Sequence, residues 1–206
     1  MSTQWKTTHL LTAGLAALAL TLGANTALAE PKGYKIDDEH FSATFEVNHL
    51  GYAPVLGMFL EGKGQFKYDA EARDIPSGKV VIQSASVFSN HEKRDEHLRK
   101  DDFLHSDRYP EITFEVTDFE STGDDTGKLT GDLTLLGETH PVTLGITLNK
   151  AGEYPIGHEE YTLGVSASTT IERSQWGMTY ALDPLMVGDE VHLRFEFEAI
   201  EDNGWF

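Results

Sequence analysis

The chain has 206 residues, with 16 Lys and Arg against 34 Asp and Glu, a net charge of −18 and no cysteine. That surface repels phosphate backbones and anionic headgroups, so nucleic acid is not an expected partner. Without cysteine there is no disulfide, no thiolate nucleophile, no Cys-ligated metal and no iron–sulfur cluster.

The N-terminus reads as a targeting segment. Lys6 precedes an apolar run from Leu10 to Leu22, and Ala27-Leu28-Ala29 supplies a small-x-small cleavage pattern. The run falls short of the roughly 20 apolar residues that span a bilayer. Residues 1–29 are therefore expected to be a cleaved secretory signal, leaving one domain of 177 residues, 30–206, in the periplasm. No later run is long enough for a membrane helix, so no stable membrane insertion is expected.

Beyond the signal, period-two alternation dominates. Phe41, Ala43, Phe45 and Val47 alternate with Ser42, Thr44, Glu46 and Asn48, which predicts a strand with one buried face. A second run goes from Gly57 through Gly62, Gly64, Phe66 and Tyr68, where interior glycines mark a bend, a bulge or interior room. A third spans Lys79 to Phe88 after the turn Ile75-Pro76-Ser77-Gly78.

Arg94 to Phe103 is the one helical pattern, short and charged on most sides, with Leu98 and Phe103 as its apolar contacts. Tyr109-Pro110 stops it. Five more strands follow, near 112–119, 128–136, 142–149, 163–171 and 191–199. Val191, Leu193, Phe195, Phe197 and Ala199 make the clearest inward face.

About eight strands joined by turns imply antiparallel neighbours, either an up-and-down barrel or a two-sheet sandwich, with the helix covering one end. The small inward residues Ala43, Gly62, Gly64, Ala167 and Thr169 favour interior space.

Candidate chemistry is sparse. His91, His97 and His105 have neither H-x-x-x-H nor H-E-x-x-H spacing, so no metal site is expected. Ser42 and Ser174 lack a G-x-S-x-G context. Arg94, Asp95 and Arg173 are candidates for an ion-pair network that pins the helix or orients a polar headgroup, since buried charges need partners.

Several motifs together carry a resemblance. They are Phe45-x-Val47-x-His49-Leu50-Gly51, Arg94-Asp95-x-His97-Leu98 with Asp102-Phe103, Tyr109-Pro110-x-Ile112-x-Phe114, Thr130-Gly131-Asp132-Leu133-Thr134, Arg173-Ser174-x-x-Gly177-Met178 and Gly188-Asp189-Glu190-Val191. In this order, over nearly the whole expected mature chain, they resemble the YceI-like family of secreted lipid-binding proteins.

The resemblance implies an all-β, lipocalin-like eight-stranded antiparallel barrel with one short helix capping it. It also implies a long-chain isoprenoid, quinone or similar amphiphilic lipid in an apolar pore, with no other cofactor. Phe41 stands where a hydroxyl residue is common and His140 where lysine is common, two departures that bear on headgroup preference.

On the inward-reading faces, Phe41, Phe45, Val47, Phe66, Phe114, Leu133, Val165, Phe195 and Phe197 are the expected pore lining. For each, simple core packing is an equal reading. His49, Arg94, His97 and Arg173 are the expected headgroup or mouth residues. The functional expectation is a non-catalytic carrier. Two alternatives stay open: an enzyme acting on such lipids through His49, His97 and Arg173, and a stress-response partner of a membrane redox protein with a solid barrel. A homodimer is also open.

Overall fold

A computed structural model describes residues 1–2, 30–183 and 185–202. The expected signal segment, residues 3–29 of it, lies outside the described residues. The strands are β1 (Lys32–His49), β2 (Ala53–Phe59), β3 (Gly62–Asp69), β4 (Asp74–Gln83), β5 (Val87–Phe88), β6 (Glu111–Ser121), β7 (Thr126–Leu135), β8 (Glu138–Glu153), β9 (Tyr161–Glu172) and β10 (Val187–Glu201). The helix α1 (Glu92–Leu98) follows β5.

All pairings in the sheet are antiparallel, and β1 meets β10 from Tyr34↔Glu201 to His49↔Val187, which closes it into a barrel. β2 and β3 both lie along β1, one against its second half and the other against its start. β4 pairs with β3, and β5 with β2. The barrel therefore has eight staves, two of them interrupted.

The runs read from Gly57 to Tyr68 and from Lys79 to Phe88 are those two staves, each with a break. The breaks face each other. Leu60 N donates to Ser86 O at 3.1 Å and Gln83 N to Glu61 O at 3.0 Å.

Inward rows explain the closure. Val191, Leu193, Phe195, Phe197 and Ala199 of β10 sit opposite Ile171, Thr169, Ala167, Val165 and Leu163 of β9. On the other side they meet Val47, Phe45, Ala43, Phe41 and Ile36 of β1. Phe195 is thus flanked by two alanines, so large and small residues interdigitate.

Between Ile36↔Ala199 and Phe41↔Phe197, β1 carries residues 37–40 against Glu198 alone. Ile36 and Phe41 have opposite parity and would face opposite sides of a regular strand. The bulge turns both inward.

The glycines were expected to leave room, and the structure corrects this. A Cβ on Gly62 would lie 2.2 Å from the Phe41 ring, and one on Gly64 would meet Ile36 Cδ1 at 2.8 Å. Gly57, opposite Phe45, is likewise covered by that ring, with Cζ 2.2 Å from a built Cβ. Gly57 and Gly62 seat aromatic rings and Gly64 seats Ile36 and Val80, so none of them hollows the wall.

Gly62→Ala should therefore lower stability by about 1–3 kcal/mol, the usual cost of overpacking. Adding Phe41→Leu should recover part of the loss in urea unfolding. A Gly62→Ala midpoint equal to the parent's contradicts this packing.

Candidate ligand-binding site

A cavity of about 210 Å³ occupies the barrel interior toward the α1 end. Seven of the expected lining residues border it: Phe41, Phe45, Val47, Phe114, Leu133, Phe195 and Phe197. Phe66 and Val165 border a smaller cavity of about 90 Å³ toward the opposite end. Phe197, Leu129 and Ile146 border both.

Burial separates lining from packing. Phe41, Phe45, Phe114, Phe195 and Phe197 point inward yet are only half-buried, as rings bordering empty space must be. Leu133 and Val165 are more deeply buried and belong to the two core clusters while also bordering the cavities. The lining also takes in Val80, Ile82, Leu144 and Leu193, whose signal was the same alternation, and Phe59 and Phe103. Phe103 was expected at the end of the helix as one of its apolar contacts; the helix stops at Leu98, and Phe103 reaches the cavity from the turn that follows.

The α1 end is plugged. His91 caps α1, its Nδ1 accepting from Arg94 N at 3.3 Å. Buried Asp95 accepts from Ser89 N at 2.8 Å and from Ser89 Oγ. Arg94 binds the same serine, Nε to Oγ at 2.7 Å and Nη2 to its carbonyl at 2.6 Å. Arg99 reaches the carbonyls of Ala85 and Val87 at 2.8 and 3.1 Å. Leu98 and Phe103 pack on the larger core cluster, and Leu104 is buried within it.

Of the two roles expected for Arg173, the hydrogen bonds correspond to pinning, of a loop and not of the helix. Arg173 is 2% exposed. It donates to four backbone carbonyls: Gly188 at 2.8 Å, Met178 at 2.7 Å, Tyr180 at 3.0 Å and Val187 at 3.1 Å. Burial pulls its guanidinium below the ordinary value while Asp189 acts the other way. Arg94, Asp95 and Arg173 therefore form no single network. Arg94 and Asp95 meet at Ser89, and Arg173 pins the loop before β10.

His97 hydrogen-bonds Asp102 Oδ2 at 2.8 Å and sets its ring edge against Phe103 and Tyr180, at 5.0 and 5.2 Å. His49 is exposed at the end of β1. Of the four expected mouth residues only Arg173 borders the cavity. Trp176 completes the plug, buried, with Nε1 donating to Leu133 O at 3.1 Å. His140 lies edge-on to the Trp176 ring at 5.1 Å, which accounts for that departure by packing.

At the other end Tyr34 is buried in the second core cluster, its ring stacked on Phe66 at 5.6 Å. Burial, with the Glu201 carboxylate and the neighbouring tyrosines Tyr161 and Tyr68, pushes the Tyr34 hydroxyl up to about 12. It stays neutral in any physiological medium.

Among the described residues, Asp37, His40 and Glu198 bring their ligand atoms within 4.8 Å of one another. Spacing could not show this group, because Glu198 comes from β10 and the other two from the β1 bulge. His40 Nδ1 lies 2.6 Å from Asp37 Oδ2 and 3.7 Å from Glu198 Oε2. Burial pushes the Asp37 carboxyl up, but hydrogen bonds from His40 and the Glu39 amide outweigh it and hold the group below its usual value. The Asp37 hydrogen bond, aided by Glu198, raises His40. The cluster ties the bulge on the outside of the barrel.

The fold and the apolar interior define a lipocalin-like antiparallel barrel built to enclose space. Residues 34–199 match the YceI-like domain, and the chain belongs to that family. A UPF0312 protein of Azotobacter vinelandii is 38% identical over 191 residues, covering 90% of this chain and 96% of its own. One from Pseudomonas savastanoi is 36% identical over 197 residues, covering 93% and 99%.

Among solved structures, a Campylobacter jejuni YCEI protein superposes with a TM-score of 0.69 at 27% identity, over 76% of this chain and 90% of its own. Burkholderia cenocepacia BcnA gives 0.70 at 21%, over 79% and 98%. A polyisoprenoid binding domain from Saccharophagus degradans gives 0.60 at 14%, over 82% and 98%. At these identities the last two share the fold.

Arg173→Met should leave four inward carbonyls without their donor and cost about 3 kcal/mol or more, as unsatisfied buried acceptors do. Urea unfolding checks this. A loss below about 0.5 kcal/mol, the size of an ordinary surface change, would contradict the pinning role.

Proposed function

We propose that this protein is a non-catalytic binding or carrier protein for a long-chain isoprenoid, quinone or similar amphiphilic lipid held inside the barrel. The observation that carries the reading is the larger cavity. Its wall is phenyl rings and aliphatic side chains, with only threonines and the backbone-bound Arg173 as polar residues. Such a wall offers a tail dispersion and freedom from water and asks for no polar group in return.

Each buried methylene is worth about 0.8 kcal/mol, so roughly ten enclosed carbons supply about 8 kcal/mol, the micromolar scale, before ordering costs. The polyisoprenoid binding domain from Saccharophagus degradans, which shares the fold, supports the same ligand class.

The geometry gives less support to an enzyme working through His49, His97 and Arg173. Arg173 spends its donors on carbonyls and His97 is held by Asp102. His49 stands exposed at a strand end. A ligand-free partner protein with a solid barrel fits the interior space less well than a carrier does. The N-terminal pattern from Lys6 to Ala29 supports a periplasmic location. Within the described residues no helix is long and apolar enough to cross a membrane.

Phe45→Asp and Phe114→Asp test this by placing a carboxylate against the tail. Uptake of a C20 prenol or a quinone with the same tail should fall by about a hundredfold or more, the scale of an unpaired polar group in an apolar site. Far-UV circular dichroism confirms the fold of each variant. Undiminished uptake by either folded variant would remove the barrel interior as the binding site.

A further inference from the structure

The two ends of the barrel are built differently, and the difference assigns a direction to the ligand. At the α1 end, Trp176, Leu104, Met178 and Val87 are buried beneath loops that Arg173 and Arg99 bind through their carbonyls. Opening that end breaks many bonds at once. At the opposite end Tyr34 is buried against Phe66 on the β1 side, and the cover over the remaining space is two turns, residues 70–73 and 122–125, bridged by an ion pair. Arg73 Nη1 lies 2.8 Å from Asp124 Oδ1, and the side chains are 51% and 88% exposed. An exposed pair of this kind contributes about 0–1 kcal/mol, so it is easily parted.

Beneath those turns lies the smaller chamber. Its inner wall is Phe66, Val165 and Phe197, and its rim carries Tyr68, Arg73 and Asp124. Tyr68 and Arg73 border the same chamber, where burial raises the Tyr68 hydroxyl and the Arg73 guanidinium acts the other way. The larger chamber has no comparable polar rim. Between the chambers stands Phe197, half-buried, edge-on to Phe66 at 6.3 Å and in register with Phe41 and Val165. A ring with open space on both sides can change rotamer, and when it turns the chambers become one passage.

Resting on the lipid-binding reading, we propose that the ligand enters at the turn end, with its polar head at the Arg73–Tyr68–Asp124 rim and its tail passing Phe197 into the larger chamber. The head presents acceptor oxygens, either a quinone carbonyl or a prenyl phosphate, to the Arg73 guanidinium. Arg94 and His97 then belong to the fixed plug and His49 to the exposed end of β1, and none of them to the head.

Because the chain has no cysteine, one thiol at a time can be placed and blocked. Ala72→Cys lies beside Arg73 in the turn, and Leu185→Cys lies at the α1 end, where Leu185 is 78% exposed. Each is alkylated with a poly(ethylene glycol) maleimide, and uptake of a C20 prenyl phosphate and of a quinone with the same tail is timed.

The label on Ala72→Cys should slow uptake by about tenfold or more, and the label on Leu185→Cys by less than about twofold, set against the one to three decades over which on-rates vary among variants of one site. Slowing by the Leu185 label, or by neither label, overturns the proposal. In the former case the exposed Tyr52, Leu56 and Leu185 would frame the entrance.

Arg73→Gln then tests the head. Weaker binding of the phosphate alone identifies a charged head, weaker binding of both ligands a hydrogen-bonded one, and weaker binding of neither overturns the placement. If the unlabelled protein takes up neither ligand, the lipid-binding reading fails and this one with it.

Discussion

The pairing of β1 with β10 is the constraint on which everything else rests. It joins the start of the described fold to its end, Tyr34 to Glu201, and without it the sheet has two open edges and no interior. No disulfide assists it. Its stability comes from backbone hydrogen bonds and from rows of inward side chains that run unbroken across β9, β10 and β1. A contact of such sequence separation is entropically costly to form, which is why the rows must be apolar on all three strands. The bulge at residues 37–40 belongs to the same requirement, since it keeps both halves of β1 facing the inside.

Closure then decides what the inside can hold. Rings such as Phe41, Phe45 and Phe114 lie over glycines of the neighbouring strands, and with Phe195 and Phe197 they turn their remaining surface to the cavity. A polar solute would lose its water there and gain no partner. An apolar chain loses nothing. Such an interior discriminates by length and shape.

Much of this could be read from the residues. The alternation of Val191 through Ala199 named a face, and the helix between strands named a cover. Seven of nine lining candidates border the larger cavity because period two and barrel closure leave them nowhere else to point. Other features could not be read. The breaks at Leu60–Glu61 and Ser84–Ser86 are paired with each other through space, and neither is evident alone.

Arg173 read as part of an ion-pair network that pins the helix or orients a headgroup, because a buried charge usually finds a carboxylate or a ligand. Here four carbonyls supply the same compensation, and carbonyls leave no mark in sequence. Gly62 and Gly64 looked like space because a missing side chain does not say which neighbour takes its place.

A lipid tail inside the closed barrel, as proposed, would be open to direct detection. Native mass spectrometry of the protein purified from its own host, followed by organic extraction, tests it most directly. The account predicts an adduct that survives desolvation and yields an extracted lipid whose mass contains a series of isoprene units. An empty protein that also stays empty after incubation with polyprenols and quinones would contradict it.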